Sequence, residues 1–294
     1  MSTKPKNKKV DAVAGFAAGC ATTLIVHPLD LIKVRLQIDN RKKFHFGRAV
    51  EIANELRSSN SPFKEIYRGL VPNLVGNTTS WASYFYWYET IKQELNIYYG
   101  AQGLGSIDYL ASAMASGSIT VLLTNPVWVI KTRMLSTSST HDGAYKSMVD
   151  GFLTIHRHEG IRGFYRGFLP SLLGVGHGAI QLMVYEKLKT WYLNRQANGH
   201  VQLSTSQFIT FSAFSKIVAS LFMYPYQVVR SRLQRYDADN VYRSLSDVVK
   251  KTYQTEGYLG FYKGLIPNLL RVVPATCVTF VVYENTKKYL KYEI

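Results

Sequence analysis

Cysteine is scarce, acid is outnumbered by base, and no long uninterrupted apolar run is present. The 294 residues include two cysteines, Cys20 and Cys277, too few for a disulfide framework. Each sits in an apolar stretch and reads as a buried free thiol. Nineteen acids stand against 35 bases, a net charge of +16, which suits an anionic partner: nucleic acid, membrane surface or small molecule. A hydrophobic share of 47% excludes a disordered chain. No run of 20 apolar residues announces a membrane span. The basic "MSTKPKNKKV" is followed by no apolar stretch with a cleavage site, so a secretory signal is not expected. "GVGHG" at 174–178 lacks the strand, helix and lysine of a phosphate loop. No catalytic or metal-ligating constellation stands out, so neither an enzyme, a metal site nor a bound cofactor is expected.

What is present is a repeat. "VHPLDLIKVRLQ" from Val26, "TNPVWVIKTRML" from Thr124 and "MYPYQVVRSRLQ" from Met223 share a proline followed by cations at five and seven residues. Pro28, Pro126 and Pro225 are 98 and 99 residues apart, and Gly69, Gly167 and Gly264 of "YRG", "FYRG" and "FYKG" are 98 and 97 apart. "YETIK", "YEKLK" and "YENTK" close each unit. Three markers in register three times mean internal triplication, with repeats over 10–98, 106–195 and 204–292 inside one domain spanning 1–294. Three matched pairs of apolar segments also exclude a merely basic nucleic-acid-binding protein.

Each unit reads as two apolar segments joined by a polar loop and a short amphipathic helix. Six segments of roughly 20 to 28 residues can each cross a ~30 Å hydrocarbon core with tilt. Their scattered Gly, Ser, Thr and charged residues suit helices around a polar interior. The expected fold is an all-α membrane protein of six transmembrane helices in three pseudo-symmetric repeats around a central cavity.

Asp30, Lys33 and Gln37 fall on one helical face, as do Trp128, Lys131 and Leu135, and Gln227, Arg230 and Gln234. Glu89/Lys92, Glu186/Lys189 and Glu284/Lys287 sit three residues apart near the ends of the second helices. Local ion pairs are the bland reading, worth ~0.3–0.5 kcal/mol when exposed. In a membrane bundle charges turn inward, and threefold symmetry makes both sets rings, one at each end of the cavity.

Pro-x-acid-x-x-cation-x-cation, repeated with tyrosine-acid-x-x-cation, resembles the mitochondrial carrier family over about residues 11–290. The resemblance implies six membrane helices, short amphipathic helices on the matrix side, both termini facing the intermembrane space, and alternation between a matrix gate and a cytoplasmic gate in the mitochondrial inner membrane. It implies cytoplasmic pairs Glu89–Lys189, Glu186–Lys287 and Glu284–Lys92, braced by Tyr88, Tyr185 and Tyr283. On the matrix side it implies Asp30–Lys131, with Gln37 and Gln234 as braces. Trp128 and Gln227 depart from the pattern, leaving Arg230 and Lys33 without acidic partners. With three cytoplasmic pairs against one matrix pair, the matrix-open state is expected to be favoured. The first unit also lacks the Glu-Gly of 159–160 and 256–257, having "SSNSPFKE" instead. Arg68–Gly69, Arg166–Gly167 and Lys263–Gly264 resemble the family's cardiolipin-binding helix starts, where N–H groups and a cation suit phosphate. A monomer is expected.

Cations without acids are costly inside a membrane, ~2.5–3.5 kcal/mol each at a helix centre, and imply a visiting anion. Lys33, Lys216, Arg230 and Arg271 are the candidates. Lys216 stands where the other units have Gly19 and Gly117, three turns before the gate position. Asn77 and Trp81 offer an amide and a ring face that suit a flat heterocycle. His177 reads as a hydrogen-bonded interior histidine. Gly76, Gly174 and Arg271 are threefold equivalents and match the family's substrate contacts, with a bend at Pro274 needed to aim Arg271 inward. The residues alone reach a planar, anionic substrate. "PVWVIKTRM" and "PNLVGNTTSWASYFYWYETIK" resemble the branch that carries FAD and folate, with pyrimidine-nucleotide and NAD carriers beside it. FAD would be cargo, not a cofactor.

Overall fold

The structure, a computed structural model, describes residues 8–41, 47–99, 105–195 and 204–292, and these contain no strand. Repeat 1 holds α1 (Lys8–Ile38), α2 (Arg48–Arg57), α3 (Pro62–Ile66) and α4 (Leu70–Tyr99). Repeat 2 holds α5 (Ser106–Ser136), α6 (Met148–His158), α7 (Gly160–Phe164), α8 (Phe168–Leu173) and α9 (Gly176–Arg195). Repeat 3 holds α10 (Thr205–Gln234), α11 (Ala238–Val241), α12 (Leu245–Glu256), a 3₁₀ turn (Tyr258–Tyr262), α13 (Leu265–Leu270) and α14 (Val272–Tyr292).

Five segments are long and apolar enough to cross a membrane: Val13–Ile38, Ile107–Ser136, Gly160–Arg195, Ser206–Gln234 and Tyr258–Leu290. The sixth, α4, has the length but is diluted by Asn73, Asn77, Thr78, Thr79, Ser80 and Ser83. Consecutive helices pack into a ring, α4 on α5 and α9 on α10, and α14 returns to α1 to close it. Ile25, Tyr86, Leu123, Met183 and Phe222 remain exposed, the pattern of a bundle whose outer face meets lipid.

The short helices start where the sequence signals them. Ser147 caps α6 by accepting from the Asp150 N–H at 3.1 Å, while Asp150 accepts from the Lys146 N–H at 2.8 Å. Ser244 and Asp247 repeat this at α12, at 3.2 and 2.9 Å. Such reciprocal capping satisfies donors that have no partner within the helix. Gly167 and Gly264 cap α8 and α13 with φ of 70° and 83°, and Gly69 has φ of 75°. These left-handed turns explain the glycine of the "YRG/YKG" motif.

The second span of repeat 3 breaks at Arg271, between α13 and α14. Pro274 has no N–H for the Leu270 carbonyl and its ring crowds that carbonyl. The expected bend at Pro274 therefore appears one turn earlier, and Arg271 sits at the joint.

Candidate functional site

The helices that carry the repeated motif prolines Pro28, Pro126 and Pro225, namely α1, α5 and α10, meet one another, and polar side chains stitch their C-terminal halves together. Lys33 Nζ donates to Gln227 Oε1 at 3.0 Å. Ser231 Oγ donates to Gln37 Oε1 at 2.7 Å, and Gln37 Nε2 donates to the Tyr224 hydroxyl at 3.2 Å. Thr132 Oγ1 donates to Gln234 Oε1 at 3.2 Å, and Gln234 Nε2 donates to the Arg166 carbonyl at 3.2 Å. Gln37 and Gln234 are each 1% exposed. Arg35 Nε donates to the Leu135 carbonyl at 3.3 Å, joining α1 to α5. This end of the bundle is shut.

Asp30 does not take Lys131, its expected partner. It accepts instead from Arg271 Nη1. Lys131 Nζ lies 4.8 Å from the Trp128 ring centroid, and the Arg230 guanidinium lies 5.8 Å from the same ring. The indole thus stands in for the missing acid by presenting its negative face to two cations. Its Nε1–H donates to Ser80 Oγ at 3.2 Å, which fixes the ring on α4. Gly76 is the second correction. It is buried and a Cβ there would lie 3.4 Å from the Trp128 ring, so it seats the indole rather than lining the cavity.

Above this floor lies a cavity of about 590 Å³ lined by Asp30, Lys33, Asn77, Trp81, Trp128, Lys131, Gly174, Lys216, Gln227, Arg230 and Arg271 among others. A second space of about 1030 Å³ between α1, α4 and α14 shares Asp30, Asn77, Trp81, Lys216 and Arg271 with it. The first volume falls within the ~300–1,000 Å³ range of small-molecule sites and the second lies at its upper edge. Five cations face one carboxylate here. Lys33, Lys131, Lys216 and Arg230 have no carboxylate partner among the described residues. His177 also lines the lower space, with no side-chain hydrogen bond among the described residues, unlike the interior histidine expected. Cys20 is half-buried in the upper wall and Cys277 is exposed, so neither is a buried core thiol.

At the other end the bundle is open. Glu89 and Glu186 pair within their own helices, with Lys92 at 2.6 Å and Lys189 at 3.6 Å, and both carboxylates are about half exposed. In place of the expected crossings from Glu89 to Lys189 and from Glu284 to Lys92, Lys92 and Lys189 each take the acid of their own helix. Lys92 and Lys287 each lie 5.3 Å from the rings of Tyr88 and Tyr283, and Tyr185 meets Phe208 edge-on at 5.8 Å. The arrangement is the reverse of the expected one: the end with one carboxylate is shut, since amides, hydroxyls and arginine–carbonyl contacts hold it.

A second network was not foreseen. The cations seven residues after each proline pair with carboxylates of the short-helix layer: Arg35 with Glu65 at 3.3 Å, Arg133 with Glu159 at 2.7 Å, and Arg232 with Glu256 at 2.7 and 2.8 Å. Glu65 fills the place of the missing Glu-Gly acid from four residues further along. Its N–H donor is Ser139 at 2.7 Å. Burial opposes ionisation of Glu65, but the Ser139 donor and Arg35 outweigh it and hold its pKa below the ordinary value. Burial likewise opposes, and Arg133 outweighs, at Glu159. Both acids were in the sequence; their spacing to the arginines had no helical register to reveal it.

The motif cations expected at lipid phosphate are committed elsewhere. Arg68 is 9% exposed and donates to the Met134 and Tyr145 carbonyls at 2.8 and 3.0 Å. Lys263 is 5% exposed, donates to the Asp39 and Arg41 carbonyls at 2.8 Å and pairs with Glu256. Arg166 pairs with Asp239. These groups tie each repeat to the next.

The sequence pattern of the family described as "Mitochondrial carrier protein" matches the chain three times, over residues 6–99, 102–196 and 201–293. The mitochondrial FAD carrier protein FLX1 of Saccharomyces cerevisiae is 39% identical over 97% of this chain and 98% of its own. Folate transporter 1, chloroplastic, of Arabidopsis thaliana is 35% identical over 96% and 95%. The mitochondrial nicotinamide adenine dinucleotide transporter 2 of the same plant is 35% identical over 96% and 79%. Three full-length repeats and relatives matched along the whole chain place this protein in the mitochondrial carrier family, whose members are membrane transporters rather than enzymes.

Proposed function

We propose that the chain moves FAD, or a closely related flavin, across the mitochondrial inner membrane by alternating closure of its two ends. Asp30, Lys33, Gln37, Trp128, Lys131, Gln227, Arg230 and Gln234 form the matrix gate, shut here. The Tyr-Glu-x-x-Lys ring forms the cytoplasmic gate, open here, with both termini on the intermembrane-space side and a single chain as the working unit. The observation that carries this is the cavity: five cations against one carboxylate, beside the ring faces of Trp81 and Trp128. A planar ring carrying phosphates complements that set in both charge and shape. The 39% likeness to a FAD carrier supports the flavin. The lipid contact is proposed for backbone N–H groups at the helix starts after Gly69, Gly167 and Gly264, since Arg68 and Lys263 are buried and Arg166 is paired with Asp239.

Folate is the second reading, supported by the 35% relative, because its carboxylates suit the same cations. Uptake into liposomes loaded in parallel with FAD, FMN, NAD, folates and pyrimidine nucleotides separates them. FAD uptake at least tenfold above the others is expected. Exchange of a pyrimidine nucleotide with no response to FAD or folate overturns the reading.

A further inference from the structure

The threefold symmetry of the bundle fails at one level of the cavity wall. Gly19, Gly117 and Lys216 are equivalent positions on α1, α5 and α10, three turns from the gate. A Cβ added at Gly117 would lie 2.5 Å from Val175 Cγ1, so that site is filled. Lys216 carries its own side chain into the space. Gly19 alone is empty: a Cβ there meets nothing within 4 Å, and the same holds one turn away at Gly15. Both glycines line the larger space between α1, α4 and α14.

The wall across from them is aromatic. Trp81 and Phe85, one turn apart on α4, stack with ring centroids 5.7 Å apart and planes 22° apart. They are 63% and 57% exposed, so neither ring is used up in packing. Phe16, Phe280 and Tyr283 complete the apolar rim, while the charged side chains of this space, Asp30, Lys216 and Arg271, are shared with the lower cavity. An apolar slot with cations at its foot is complementary to a ring that carries an anionic tail.

We infer that this slot, between the bare helix face at Gly15 and Gly19 and the Trp81–Phe85 stack, is the seat of the substrate's planar fused ring, with its phosphates or carboxylates directed to Lys216 and Arg271. The inference rests on the proposed flavin reading for the identity of the ring, not for the existence of the slot. Gly19 is then a specificity-determining position: its missing side chain is the space the ring occupies. A ring stacked on an aromatic face gains from offset π contact as well as from area removed from water.

The test uses the full chain purified in detergent, with ligand-induced gain in melting temperature as the readout. The probes are a phosphate-free alloxazine, a pterin and inorganic pyrophosphate. Gly19→Leu projects into the slot from a position where a Cβ meets no neighbouring atom within 4 Å, and an unchanged melting temperature without ligand establishes its fold. Lys216→Ala reports on the foot of the site. In the unaltered protein the alloxazine and pyrophosphate should each stabilise. Gly19→Leu should weaken the alloxazine effect at least tenfold in concentration and leave that of pyrophosphate within about twofold, while Lys216→Ala does the reverse. Equal response of Gly19→Leu and the unaltered protein to the alloxazine overturns the slot, as does failure of every ring probe to stabilise the unaltered protein. A response to the pterin alone, lost in Gly19→Leu, keeps the slot and overturns the flavin reading.

Discussion

Arg271 and Asp30 are 241 residues apart in the chain, yet their side chains form an ion pair across the junction of repeats 3 and 1. Asp30 is 8% exposed and Arg271 32%, so the acid belongs to the floor and the guanidinium reaches the cavity. An anion of the proposed substrate would therefore compete with Asp30 for Arg271. Arg271→Ala should abolish uptake and lower the melting temperature, because it leaves a buried carboxylate without its guanidinium. Arg271→Ala with Asp30→Asn should regain the melting temperature but not the uptake. Uptake near the original level in Arg271→Ala removes this residue from the site.

Trp128 binds Lys131 and Arg230 through one ring. Trp128→Leu removes a cation–π contact worth ~0.5–2 kcal/mol to each and should lower thermal stability in detergent. Trp128→Asp restores an acid beside two cations, so the shut end should close more tightly. Melting temperature should rise while turnover in liposomes falls several-fold. Unchanged turnover in Trp128→Asp would show that this end does not limit transport.

Glu89 rests on Lys92 in the open state, yet the proposed closed state gives it Lys189. Glu89→Lys and Lys189→Glu should each cut uptake more than tenfold through like-charge contact on closure. Combined, they should recover to within about threefold of the original protein. A double variant no better than either single one leaves the two residues unpaired in both states.

The bundle was legible because triplication supplies its own alignment: proline, glycine and tyrosine markers fixed helix number, order and the two charge rings. The partners were less legible. Asp30 chose Arg271 over Lys131 because Pro274 breaks the last span one turn ahead of itself, which no side-chain register predicts. Gly76 matched a substrate-contact position, but Trp128 packs over it from the neighbouring helix. Arg68 and Lys263 looked available to lipid, but the loop carbonyls they bind come from the next repeat, at a separation no motif encodes. Glu65 was visible as an acid but not as the replacement for the Glu-Gly carboxylate.

The Arg–Glu layer makes the fold's stability depend on acid. Arg232 and Glu256 are each 1% exposed, so Glu256→Gln leaves a buried guanidinium without its carboxylate, a loss of ~3–5 kcal/mol. Glu65→Gln should cost less, ~1–2 kcal/mol, because the amide oxygen still accepts from Ser139 and only one longer contact to Arg35 is lost. Glu65 and Glu159 both have folded pKa values below the ordinary 4.5. A depressed carboxylate contributes stability that is fully present above its unfolded value and is lost as pH falls through the folded one. Melting temperature should therefore hold level from neutral pH down to about 5 and fall below 4.5. Glu65→Gln should start lower and fall less steeply, since one titrating group is gone. Parallel acid limbs for Glu65→Gln and the unaltered protein would show that Glu65 takes no part in acid lability.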